Sequence, residues 1–158
     1  MNTSLNYPTT TMVQNVTLQN LIRVCRDAYD GYLQAAQSVR SAPYKTLFAE
    51  YAHQRNRFAQ ELMNHLAMVR SEDGGKTLNS LDSEMPNTWA AIYEATLSGD
   101  ASTILVACEE AEDVAVRAYE TALGAKLPAD TRQMIQKQYE QILKAHIRIR
   151  DLRDIYRK

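Results

Sequence analysis

Apolar residues recur along most of this chain at steps of three and four, the spacing that lines one face of an α-helix. The first stripe runs Leu18, Leu21, Ile22, Cys25, Ala28, Tyr29, Tyr32, Ala36 and Val39, and predicts a helix over about 16–40. Ser41-Ala42-Pro43 ends it, because proline disfavours helix in the residue before it and suits the first turn of the next helix. A second stripe, Phe48, Tyr51, Ala52, Arg55, Phe58, Ala59, Leu62, Leu66 and Val69, breaks off in RSEDGGK. A third contains Ile104, Leu105, Cys108, Ala111, Glu112, Ala115, Tyr119 and Ala122, and is closed by Gly124. The fourth, Ile135, Tyr139, Ile142, Leu143, His146 and Ile149, follows Pro128. Its end carries Arg148, Arg150, Arg153, Arg157 and Lys158, where the helix dipole favours cations.

These stripes predict an all-α fold of two helical hairpins, since short turns make successive helices antiparallel. Between them, MPNTWAAIYEATL reads as a short helix opening near Pro86, with Trp89, Tyr93 and Leu97 pinning it to the bundle. The polar run over 70–85 can reach roughly 50 Å if extended, at ~3.3 Å per residue. A 25-residue helix is only about 37 Å long, so the connection can cross the whole bundle. Two hairpins joined by one long crossover give the ferritin-like four-helix topology. Residues 1–14, polar and threonine-rich, read as a flexible N-terminal tail, leaving 15–158 as the bundle.

A short echo points to chemistry. CRDAYD at 25–30 returns as CEEAED at 108–113, one copy in each hairpin. At ~100° per residue, Tyr29 and Glu112 both lie inside their apolar stripes, whereas Asp30 and Asp113 fall outside them. Arg55 and His146 hold central places in the second and fourth stripes. Four inward positions, one per helix, therefore carry Tyr29, Arg55, Glu112 and His146. A buried charge needs a partner, and an Arg55–Glu112 pair hydrogen-bonded by Tyr29 and His146 is the expected polar core.

A two-cation centre of the ferritin-like type needs a carboxylate from each of two helices and Glu-x-x-His from each of the others. One glutamate and one histidine are too few, and a guanidinium repels cations. Glu50-Tyr51-Ala52-His53 spells the motif but faces the opposite side of its helix from Arg55. The expectation is therefore no metal; the alternative is an iron or manganese oxidase or peroxidase using Glu112, His146 and Tyr29. Cys25 and Cys108 are possible redox groups, but antiparallel helices would place them on opposite sides of the polar layer, as buried thiols packing like alanine. His65 sits at a stripe edge. A pocket for an apolar ligand among Tyr29, Tyr32, Tyr51 and Phe58 is a further reading.

Composition narrows the class. Eighteen basic and nineteen acidic residues leave a net charge of −1, without the basic excess that nucleic-acid binding requires. No run approaches the length of a membrane span, and the opening MNTSLNYPTTTMVQN lacks the charged and apolar regions of a secretory signal. A cytoplasmic setting is expected, where cysteines stay reduced. No phosphate loop or nucleophile elbow occurs.

LIRVCRDAYDGYLQAA, LFAEYAHQRNRFAQEL, CEEAEDVAVRAYETAL and QYEQILKAHIRIRDLR resemble the four helices of a bacterial ferritin-like family of unknown function. The resemblance spans about 16–153 and is most specific at Gln54-Arg55 with Phe58, at Tyr119-Glu120, and at Ala145-His146 with Ile149-Arg150. It implies the four-helix-bundle fold and a cytoplasmic, stress-linked setting, without a reaction. That family usually carries glutamate where this chain has Tyr29. The expected function is thus a non-enzymatic bundle acting on an unidentified protein partner, as a homodimer.

Overall fold

The structure, a computed structural model, describes residues 9–72 and 89–156. Among these residues the chain forms helices α1 (Thr10–Ser38), α2 (Ala42–Glu72), α3 (Ala90–Ala95), α4 (Ala101–Leu123) and α5 (Ala129–Ile155), with no strand. The all-α expectation holds. None of these helices is long and apolar enough to cross a membrane.

A side-chain cap marks the start of α1. The Thr9 hydroxyl accepts from the Met12 amide at 3.1 Å, satisfying one of the donors a helix start leaves open. Helix α1 therefore opens at Thr10, inside the segment assigned from sequence to a flexible tail of 1–14; residues 1–8 of that tail lie outside the described residues. Gly124 closes α4 without entering the left-handed region, at φ −81°. Its amide and that of Ala125 meet the carbonyls of Glu120, Thr121 and Ala122, while Arg132 donates to Leu123 O, the last carbonyl of the helix, at 2.5 Å and to Ala125 O in the turn at 2.6 Å. Left-handed backbone does occur at Gly99, φ 66°, where only glycine is unstrained. Its carbonyl accepts from Arg40 N, joining the end of α1 to the start of α4.

The stripes read from the sequence face inward. Leu18, Ile22, Cys25, Leu62, Tyr119 and Ile142 belong to one apolar cluster; Tyr32, Phe48, Ala52, Leu105, Cys108 and Ile149 belong to another. Helices α1 and α4 run in opposite directions. Cys25 meets Tyr119 and Tyr32 meets Glu112, so seven residues forward on one helix match seven residues back on the other.

The small helix docks through a different face from the one expected. Trp89 and Ile92 are buried, with Ala95 and Thr96 beside them, whereas Tyr93 is half-exposed and Leu97 points into solvent. Trp89 lies 4.8 Å from the Tyr32 ring, centroid to centroid, above Gly31, where any β-carbon would collide with the indole. The expected opening near Pro86 lies outside the described residues.

Candidate functional site

The charged centre of the bundle is one residue pair. Arg55 from α2 and Glu112 from α4 are both 0% exposed and bonded in a fork, Nη1 to Oε1 at 2.7 Å and Nη2 to Oε2 at 2.6 Å. Tyr32 donates its hydroxyl to Glu112 Oε2 at 2.6 Å and presents its ring to the guanidinium carbon at 5.6 Å. Arg55 Nε is satisfied by the Gln54 side-chain oxygen at 3.2 Å. Burial alone would lower the Arg55 pKa, but the Glu112 carboxylate more than offsets this and raises it. Tyr32 is driven well above the ordinary phenol range by burial and by Glu112. Arginine stays a cation and tyrosine stays a neutral donor. Such fork geometry is the strong form of the charge-assisted hydrogen bond.

Two of the four predicted network residues take other places. Tyr29 is only partly buried, and its part is taken by Tyr32. The echo aligns Tyr29 with Glu112, but in the antiparallel register Glu112 is level with Tyr32, about three residues or ~4.5 Å along the axis. His146 does not reach Glu112 either. Its Nε2 meets Asp113 Oδ1 at 2.5 Å, the carboxylate placed outside the stripe by its angle. Helix α5 packs beside α4, so the boundary residue Asp113 faces the seam between them. The side chains are 17% and 48% exposed.

Beside that pair, Glu109 of α4 faces Arg153 of α5, whose Nη2 also donates to Asp154 Oδ1 at 2.8 Å. One carboxylate oxygen each from Glu109 and Asp113 and a His146 ring nitrogen lie within 4.8 Å of one another. Asp113 and Glu109 were missed in sequence because an apolar stripe shows which side of a helix is buried, not which flank meets a neighbour.

A second buried polar station, between α1, α4, α5 and α2, was also not foreseen. Tyr119 donates to Gln138 Oε1 at 2.6 Å, so its hydrogen is committed and Cys25 is left to donate to Tyr119 Oη across 3.1 Å. Gln138 in turn donates to Glu61 Oε1 at 2.8 Å and to the Phe58 carbonyl at 3.3 Å. At the far end of the bundle, Thr131 accepts from Gln14 at 2.6 Å and contacts His65 Nε2 at 2.6 Å. His65 is thus a boundary residue, as expected from its place at the stripe edge.

Both cysteines are buried thiols. Burial pushes Cys25 up to about 11, and Cys108 well above its usual value. In the α1–α4 register Cys108 is level with a position eleven residues past Cys25, about 16 Å along the axis at ~1.5 Å per residue. A disulfide needs Cα atoms within about 7 Å. Glu50 and His53 are exposed, as their helical angle implies.

The residues around Arg55 do not suit a pair of cations. Three of the roughly four lone-pair sites of Glu112 are occupied by donors, the His146 imidazole meets another carboxylate, and the charge opposite is a guanidinium. A family model described as a domain of unknown function, DUF2383, matches residues 14–125, which covers α1 from Gln14 onward and all of α2, α3 and α4. No curated protein matches the chain.

Proposed function

The chain belongs to the DUF2383 family, a domain of unknown function, so its role has to be argued from its own residues, and we propose a ferritin-like four-helix bundle that is not an enzyme. On this reading the Arg55–Glu112 fork occupies the midsection that di-metal relatives give to cations. Its work is structural, fixing which face of α2 meets α4. The protein then acts through its surface, as a homodimer or with a second protein, in the cytoplasm.

The observation that carries this reading is the bidentate Arg55–Glu112 pair at zero exposure. A carboxylate engaged by a guanidinium and a phenol keeps about one lone-pair site open, too few to bridge two cations, and a buried arginine cannot shed its charge to admit them. The helix directions support the ferritin-like topology. The end of α1 touches the start of α4 through Arg40 and Gly99, while α1 and α2 form a hairpin, so α2 ends at the pole opposite to the start of α4. Helix ends placed in this way are those of a bundle whose second and third long helices are joined by a crossover.

The test is metal content together with mass. Protein purified without chelator should contain far less than two iron or manganese ions per chain, and light scattering should give twice the chain mass. Two ions per chain, lost on Glu112→Gln, would overturn the non-enzymatic reading. A monomer that binds no partner at cellular concentration would overturn the surface role.

A further inference from the structure

We propose that the seam between α4 and α5 holds a single divalent transition-metal ion of the zinc type, ligated by Glu109, Asp113 and His146. This site is separate from the Arg55–Glu112 centre and does not rest on the role proposed for it. The three ligand atoms lie within 4.8 Å of one another and come from two helices, so the trio depends on tertiary packing. Two carboxylates and an imidazole form a mixed oxygen–nitrogen set, which suits zinc or manganese better than magnesium or calcium.

The local charges support the assignment. Glu109 and Asp113, four residues apart on α4, are like charges on one helical face, an arrangement that is mildly destabilising in a helix. Two groups now answer them: the His146 ring nitrogen Nε2, 2.5 Å from Asp113 Oδ1, and the Arg153 guanidinium against Glu109. A divalent ion can replace both. His146 Nε2 offers its lone pair to the ion in the tautomer that carries hydrogen on Nδ1, and Arg153 turns to Asp154, to which it already donates from Nη2 at 2.8 Å and Nε at 3.3 Å. Asp113 is half-exposed while Glu109 is 13% exposed, so the site opens to water on one side and is walled on the other. Three protein ligands with an open side leave room for water on the ion.

The full chain, stripped with chelator and dialysed, is titrated with zinc alone against a chromophoric competitor. The wild-type protein should bind one equivalent. Asp113→Asn and His146→Gln should each weaken binding by about 100-fold or more, since loss of even an outer-shell partner costs roughly 10–100-fold. Arg153→Gln should tighten it several-fold by freeing Glu109, an increase that damage to folding would not produce. His53→Ala, on the exposed face of α2, should leave it unchanged. Circular dichroism checks that each variant is helical. Absence of saturable binding, indifference to Asp113→Asn and His146→Gln, or weaker binding by Arg153→Gln would each overturn the proposal. The two readings fail separately: two ions per chain that depend on Glu112 sink the non-enzymatic bundle, whereas zinc binding indifferent to the seam sinks this site.

Discussion

Replacing Arg55 with methionine keeps much of the apolar stem and removes the charge, which leaves the Glu112 carboxylate buried with only the Tyr32 hydroxyl as a donor. Two charge-assisted bonds are lost, at 2.7 and 2.6 Å. At about 1.5–3 kcal/mol each, they set a loss of about 3–6 kcal/mol, in line with about 3–5 kcal/mol for stranding one member of a buried pair. The loss should depend on pH with a defined sign. Without its guanidinium, Glu112 is a buried acid whose folded pKa lies above the unfolded value of about 4.3. Below about pH 4.3 the carboxyl is neutral in both states and there is no charge penalty. As pH rises from there to the folded pKa, the variant loses stability relative to wild type by about 1.4 kcal/mol per pH unit, and then levels off. Urea unfolding followed at 222 nm, at pH 4.5 and 7.5, measures both quantities. Arg55→Met combined with Glu112→Leu should recover most of the loss, because a buried pair replaced by apolar groups is often neutral or better. A loss under about 1 kcal/mol, or the same loss at both pH values, would refute the claim that a stranded charge is the cause.

Tyr32→Phe removes a hydrogen bond to a charged oxygen and should cost about 1.5–3 kcal/mol, whereas Tyr29→Phe should cost under about 0.5 kcal/mol; parallel urea melts compare them directly. Native protein at pH 8 should resist a thiol reagent for hours, because both cysteines are buried and their thiolates disfavoured, and both thiols should react at once in denaturant. Gly31→Ala drives a methyl into the Trp89 ring and should destabilise by about 1–3 kcal/mol. Emission from this single tryptophan should shift to the red if α3 lifts away, and should stay put if it does not.

Much of the architecture was legible along the chain because a helix imposes its own period. Steps of three and four marked Leu18 through Val39, Phe48 through Val69 and Ile104 through Ala122 as inward faces, and Arg55 and Glu112 stood within two of those faces. A charge that cannot be left alone in a core predicts its partner, so the stripes by themselves imply this pair. Trp89 was also placed in the core, although Tyr93 and Leu97 were wrongly placed beside it. A helix of six residues is too short for periodicity to choose a face.

What the tertiary structure decided is level and flank. The angle round a helix says that Tyr29 and Tyr32 both point inward, but only the antiparallel register of α1 against α4 brings Tyr32 level with Glu112. The same angle puts Asp113 at the edge of its stripe, and only the packing of α5 brings His146 and Arg153 against it. Residue spacing within one helix follows from backbone hydrogen bonds four residues apart, a local property that each segment carries by itself. Height and seam arise from how several helices slide and turn to fill a common core, and that choice belongs to the whole chain at once.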